Sequence, residues 1–343
     1  MKHIAFLSFG KDSIAQLIKI KELGLPLDEV VYVDIRYTPE ISGEHPIMAA
    51  WIPTAEKIIK EKLGYTVKHL SAQYSFREYF YRKKQKGAHV GEIYGFPFQI
   101  GAWCNSRLKL DVIKQYENSL HDEVTEYIGI AADEVERMFT LRARATDKIH
   151  KRSVLCENNI TERMAFDICK PYDLISPIYN ITARGGCWFC PKQRIYSVYR
   201  LWKDYPEYFN DLKTIEKDSR CLMLKTQSLE DLEIRFINGY IPKQRQRATG
   251  NFAPRRTAST KEVCIPACFE HEGYKTVKVK LYWFCPVCGK RRGKIKTVRS
   301  YDGSLCLFCD GWENPCGHVD KYDAVRDEAA SNGLNPHYTE GVL

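Results

Sequence analysis

Short apolar runs alternate with helix-spaced apolar positions through the first 130 residues. His3 to Ser8 is an unbroken apolar run that suits a buried parallel strand, and a turn at Gly10 follows it. From Ser13 to Leu23 the apolar residues Ile14, Leu17, Ile18 and Leu23 fall at helical spacing, with Gly24 as the stop. Val30–Ile35 reads as a second strand and Pro46–Leu63 as a helix that Pro53 kinks or splits. Tyr65–Leu70 is a third strand, Ser106–Tyr116 a helix and Val124–Ile130 a fourth strand. This order predicts an α/β fold, a doubly wound parallel sheet of Rossmann-like type with right-handed crossovers. Ligands of such sheets sit at the carboxyl ends of the strands, where Ser8, Asp34 and Ala131 lie.

Beyond the sheet, Thr161–Cys169, Arg194–Asp204, Pro206–Lys217 and Ser228–Asn238 read as helices. Tyr240–Thr260 has no periodicity and reads as a linker. The expected organisation is therefore a nucleotide-binding domain over residues 1–220, a helix and basic linker over 221–260, and a small zinc-bound, cysteine-rich domain over 261–343. The hydrophobic share of 44% fills an ordinary core, and no apolar run is long enough to span a membrane. Ile4–Phe9 is too short for a signal peptide and runs directly into Lys11 and Asp12, so a cytoplasmic location is expected. Thirteen cysteines, six of them in C-x-x-C pairs, then fit metal sites in a reducing compartment better than disulfides.

The candidate chemistry starts at Ser8-Phe9-Gly10-Lys11-Asp12-Ser13. A strand that turns into a helix here presents unpaired amides and a partial positive charge to an anion. Gly10 lets the backbone approach, Lys11 adds a point charge, and the Ser8 and Ser13 hydroxyls can donate to phosphate oxygens. The loop resembles the PP-loop of ATP pyrophosphatases and phosphoadenylyl-sulfate (PAPS) reductases. Trp103-Cys104-Asn105-Ser106-Arg107-Leu108-Lys109, Gly129-Ile130-Ala131-Ala132-Asp133-Glu134 with Arg137, and Gly186-Cys187-Trp188-Phe189-Cys190-Pro191 resemble further segments of the PAPS reductase branch, in the same order. The resemblance covers roughly residues 1–220. It implies binding of ATP or a related adenine nucleotide with Mg2+, and attack on the α-phosphate with loss of pyrophosphate. It also implies nucleotide contacts by the loop, Asp34, Gly129, Asp133 and Glu134, catalytic roles for Lys11, Asp12 and Arg137, and substrate contacts by Arg107 and Lys109. Three departures stand out, one being Asp34-Ile35-Arg36 where the family has Asp-Thr-Gly. Phe9 replaces the usual glycine, and its bulk is expected to narrow the approach to phosphate. Asn314-Pro315-Cys316-Gly317-His318 lacks the Glu and Leu that flank the reductases' late catalytic cysteine.

Cys104, Cys187 and Cys190 are candidate ligands of a [4Fe–4S] cluster or zinc, with a redox dithiol as the alternative for the pair and buried packing for the single cysteines Cys156 and Cys169. In the tail, Cys285-Pro286-Val287-Cys288 and Cys306-Leu307-Phe308-Cys309 give C-x2-C-x17-C-x2-C, a zinc-ribbon spacing; a variant set replaces Cys306 with Cys316. Cys264, Cys268, Cys316 and His318 form a candidate second zinc site.

Net charge is +9, yet Lys243–Arg299 alone holds fifteen basic residues against three acidic ones. Lys290, Arg291, Arg292, Lys294, Lys296 and Arg299, with Arg245, Arg247, Arg255 and Arg256, suit a phosphate backbone, and Tyr282, Trp283, Phe284 and Tyr301 are candidates to stack bases. The expected protein is a nucleotide-activating enzyme that modifies DNA or RNA, for example by sulfur insertion, alone, as a homo-oligomer or with a sulfur-donor protein. The rival readings are reduction of an activated sulfate nucleotide, and nucleotide sensing or nucleic-acid binding without turnover.

Overall fold

The computed structural model describes residues 1–343 except 88, 99–100, 143–144, 183–184, 245–259, 269–274, 288–289, 303–304, 332–336 and 340–343. Two compact units form, Met1–Gly129 with Lys148–Ala253, and Ile130–Asp147 with Pro254–Leu343.

The first unit is built on five strands: β1 (Lys2–Leu7), β2 (Glu29–Asp34), β3 (Val67–Ser71), β4 (Val124–Ile128) and β5 (Ile149–Arg152). Their order is β3-β2-β1-β4-β5 and every neighbouring pair is parallel. The chain winds outward from β1 to β3, then returns to the other side of β1. The crossing point lies between β1 and β4, where doubly wound sheets open a crevice. Apolar runs gave away the central strands because both faces are covered: Val30, Val31, Tyr32 and Val33 are all buried. The edge strand β5, Ile-His-Lys-Arg, has no such run and was not expected from the sequence. Its Lys151 pairs with Glu126 and, at 3.6 Å, with Glu117.

The first helix, Lys11–Glu22, buries Ile14, Ala15, Leu17, Ile18 and Ile20 against the sheet. Each large side chain so buried contributes up to about 1.5–3 kcal/mol. Pro53 sits inside the helix Pro46–Ile58, which continues into a π turn, Ile59–Leu63, and ends at left-handed Gly64. The proline therefore does not split the helix. A second π turn, Ser106–Leu110, joins Trp103–Asn105 to Asp111–Ser119. A separate aromatic core gathers Tyr37, Phe76, Phe96, Trp188 and Phe189 with the helices Ile195–Asp204, Pro206–Asp218 and Leu229–Ile237.

The second unit has a sheet β10-β7-β6, from β6 (Thr260–Pro266), β7 (Thr276–Tyr282) and β10 (His337–Thr339), and a hairpin of β8 (Lys296–Asp302) and β9 (Leu305–Gly311). Val263, Ile265, Val277, Val279, Leu281 and Trp283 form its core with Val325 and Ala329 of the helix Tyr322–Ser331. The helix Val135–Arg142 belongs here too, with Phe139 stacked on Phe284 at 5.5 Å. Among the described residues, no helix is long and apolar enough to cross a membrane.

Candidate functional site

The loop after β1 turns sharply at Phe9, whose φ of 51° lies in the left-handed region. A non-glycine residue there costs about 1–3 kcal/mol. The ring lies fully buried and meets Tyr32 of β2 edge-on at 5.0 Å. The expected narrowing of the phosphate approach is thus corrected: the side chain turns into the core and leaves the loop face clear. Ser13 braces the turn, its Oγ accepting from the Ser8 amide at 3.1 Å and donating to the Gly10 carbonyl at 3.0 Å. Gly129, just past β4, closes on the same helix end. A Cβ there would meet the Ser13 nitrogen at 2.6 Å and its Cα at 2.7 Å, so only glycine allows this backbone contact.

Lys11 does not extend into solvent. It is 4% exposed, with Nζ 2.7 Å from Asp12 and 3.8 Å from buried Glu162 at the start of the helix Glu162–Cys169. The Asp12 and Glu162 carboxylates lie within 4.8 Å of each other. The Lys11 amide donates to the Tyr179 hydroxyl at 2.8 Å, and burial pushes that phenol up in pKa. Cys169 is buried, with its thiol 3.3 Å from the Lys11 carbonyl, and so packs behind the loop. Glu162 and Tyr179 come from helical turns far downstream in the same unit; no motif in the sequence marks them.

Cys104, Cys187 and Cys190 come together. Burial raises the Cys104 thiol to about 11, and neighbouring Cys190 adds to the rise. Burial raises the Cys187 thiol as well, helped by Glu44, Cys190 and Cys104. Cys187–Cys190 is a tight turn in which the Cys190 amide donates to the Cys187 carbonyl at 3.1 Å, and Gln193 Nε2 donates to the same carbonyl at 2.9 Å. A thiol held protonated by burial is a poor redox nucleophile. Three soft sulfurs, two of them packed against the aromatic core that holds Trp188 and Phe189, suit a metal that replaces their protons. They match three of the four thiolates that a [4Fe–4S] cluster takes.

The loop and the thiols are physically connected. Phe9 packs on Tyr32, the Tyr32 hydroxyl donates to Glu44 at 3.4 Å, and Glu44 forms a β-bridge with Cys187. Burial lifts Glu44 to about 7, with Lys109 and Tyr32 opposing the rise. Lys109 thus faces this site. Arg107 does not share that orientation: it pairs with Asp111 at 3.0 Å on the exposed helix surface. Asp34, at the end of β2, accepts from Arg36 at 3.0 Å. Asp133, Glu134 and Arg137 fall in the second unit, where Glu134 pairs with Arg137 at 2.5 Å.

In the second unit the Cys285 and Cys316 sulfurs lie 3.6 Å apart. Two thiolates on one tetrahedral zinc, with Zn–S of about 2.3 Å, would sit about 3.8 Å apart. Cys288 lies outside the described residues. Cys306 and Cys309 are not a knuckle. Both lie within β9, opposite Tyr301 and Val298, and three residues of extended strand put their side chains on opposite faces. The geometry therefore pairs Cys285 with Cys316, which the variant set puts in place of Cys306, while Cys309, which that set keeps, neighbours Cys264. Cys264, on β6, neighbours Cys309, whose thiol burial raises to about 11; Cys268 follows β6, and His318 pairs with Asp320 at 3.3 Å. The second zinc set thus loses Cys316 to Cys285.

Lys290, Arg291, Lys294, Lys296 and Arg299 are exposed. Arg292 is not a nucleic-acid contact. Its side chain is fully buried and pairs with Asp320 at 2.8 Å and Glu328 at 2.6 Å, which fixes the helix Tyr322–Ser331 to the knuckle. Trp283 and Phe284 are buried as well and cannot stack on bases. Arg245, Arg247, Arg255 and Arg256 lie outside the described residues.

No family model matches the chain, and no curated protein matches it. Among solved structures, the U34-tRNA thiolase NcsA from Methanococcus maripaludis with its [4Fe-4S] cluster is similar over 72% of this chain and 83% of that chain, at 14% identity and a TM-score of 0.33.

Proposed function

We propose that the chain is an ATP-using enzyme of the PP-loop type that activates a nucleic-acid substrate for modification and handles sulfur at a three-cysteine metal centre. One observation carries the reading: the contact path Phe9–Tyr32–Glu44–Cys187 links the loop after β1 to the thiols by way of β2. The loop lies at the end of β1, beside the crossing point to β4, where such sheets bind nucleotides.

In this reading a substrate oxygen attacks the α-phosphorus of ATP. The bond to the β-phosphate oxygen breaks and pyrophosphate leaves with the electron pair. A sulfur or nitrogen nucleophile then displaces AMP from the adenylated carbon. The loop amides and Lys11 stabilise the departing pyrophosphate, with Lys11 exchanging Asp12 for phosphate oxygen. Asp12 and Glu162, two carboxylates at one point, are suited to a Mg2+ that also holds the phosphates. Tyr179 fixes the Lys11 amide, and Lys109 would meet substrate. Cys104, Cys187 and Cys190 would hold a [4Fe–4S] cluster, which supplies iron to bind sulfur. Cys285 and Cys316 would hold a structural zinc. The exposed basic residues of the second unit would engage the polynucleotide backbone.

The Cys285–Cys316 contact also weighs against sulfate-nucleotide reduction, because Cys316 is the cysteine that would have to serve as its late nucleophile. The test is pyrophosphate release from ATP by anaerobically purified protein with bulk RNA, and its iron content. Lys11→Gln is expected to cut release at least about 100-fold while keeping the fold. Wild-type protein that binds ATP but releases no pyrophosphate would be a sensor. Protein purified without iron would refute the cluster assignment.

A further inference from the structure

The β8–β9 hairpin separates its residues cleanly by face. Directly paired residues share a face, and the register pairs Arg299 with Phe308, Tyr301 with Cys306, and Val298 with Cys309. The face with Val298, Leu307 and Cys309 turns inward, Leu307 being 7% and Cys309 2% exposed. On the other face Tyr301 is 62% and Phe308 64% exposed, and Arg299 lies with its guanidinium 5.4 Å from the Phe308 ring centre. A strand pair that keeps aliphatic residues in and aromatic ones out forgoes the burial those rings would give.

We infer that this face, Arg299–Tyr301–Phe308, is a stacking platform for unpaired bases of a single-stranded nucleic acid. It rests on the nucleic-acid reading above for its class of substrate, and it names the groups that read the strand. Tyr301 and Phe308 are diagonal neighbours, so their separation is about 7–8 Å. That is near twice the roughly 3.4 Å rise of stacked bases, enough for one base between the rings or one on each. The Arg299 plane extends the platform and adds charge. Exposed Lys290, Arg291 and Lys294 precede the hairpin and supply the cations that follow a phosphate backbone, whereas Lys296 alternates onto the other face and pairs with Glu313 at 3.0 Å. The one acid on this face is Asp310, and it accepts from the Cys264 amide at 2.8 Å. Rings stack on bases only when the bases are unpaired, so the platform favours single strands over duplex.

The test is fluorescence anisotropy of the full chain with a labelled 15-nucleotide RNA, its DNA equivalent and the matching duplexes. Single strands should bind more tightly than duplex. Tyr301→Ala and Phe308→Ala should each weaken single-strand binding about 5-fold or more, with the salt slope unchanged, and Phe308→Trp should restore it. Arg299→Ala should weaken binding and also flatten the slope. Both rings are exposed, so unchanged thermal midpoints are expected to show that the variants fold. Wild-type protein that prefers duplex would make the ribbon a groove reader and overturn the platform. Wild-type protein that binds no polynucleotide would overturn the nucleic-acid reading as well. Single-strand binding that is undiminished in the double Tyr301→Ala/Phe308→Ala variant would overturn the platform alone.

Discussion

Phe9 offers a test in which the sign of an effect is more informative than its size. The residue combines a buried ring with a backbone φ of 51°. Truncating a core phenylalanine to alanine costs about 3–5 kcal/mol. Alanine at this φ still carries the left-handed penalty of about 1–2 kcal/mol, whereas glycine does not. Against that relief, glycine adds about 0.5–1 kcal/mol of unfolded-chain entropy. Phe9→Gly should therefore be more stable than Phe9→Ala by about 0.5–1 kcal/mol, although both fall well below the parent. At an ordinary strand or helix position the order reverses, glycine being about 0.5–1 kcal/mol worse. Equilibrium urea unfolding, followed by tryptophan fluorescence and fitted with a common slope, resolves such a difference. If Phe9→Ala proves as stable as Phe9→Gly, the left-handed turn is wrong. If either variant loses less than about 1 kcal/mol, the ring is not in the core.

His45 should make stability pH-dependent. It is 3% exposed, neither ring nitrogen has a hydrogen-bond partner among the described residues, and burial lowers its pKa to about 4. The unfolded chain takes up that proton near 6.5 and the folded one only near 4. Its unfavourable effect is thus absent above about 6.5 and grows as pH falls to about 4, reaching about 3 kcal/mol. Stability curves of His45→Phe should be flatter than the parent's across that window, and parallel curves would count against the burial. In the tail, Cys316→Ser should lower bound zinc while Cys306→Ser leaves it in place, measured by elemental analysis of protein purified without chelators; equal losses would return Cys306 to the ligand set.

What the sequence revealed, and what it hid, follows from where each signal is written. The central strands are legible because burial on both faces demands continuous apolar runs, and β5 is not because an edge strand can be Ile-His-Lys-Arg. The Ser8–Ser13 loop is written in consecutive residues. Glu44, Glu162 and Tyr179 reach their places by tertiary folding alone. Cysteine spacing misled at Cys306–Cys309 for an identifiable reason. A knuckle needs a turn, which Pro286 and Gly289 announce around Cys285, whereas Leu305, Leu307 and Phe308 around the other pair are strand residues. Arg292 hides inside a basic run for a similar reason. Neighbours in extended backbone point to opposite faces, here Arg291 outward and Arg292 inward, and composition carries no record of that.

The charge at the loop bears on how the proposed enzyme would take its nucleotide. Lys11, Asp12 and Glu162 together carry a net charge of −1, and two of the three are buried. A polyphosphate brought to such a cluster by itself would meet repulsion from both carboxylates, at short range and away from water, where Coulomb terms reach several kcal/mol. Loop amides and the helix end offset only part of this, since a helix terminus contributes about half a charge. A divalent cation changes the balance: it converts the two carboxylates from repelling groups into ligands and frees Lys11 to turn to the phosphates. The same acids that pair with the buried lysine would then hold the metal. On this reading the loop binds the metal–nucleotide complex in preference to free nucleotide.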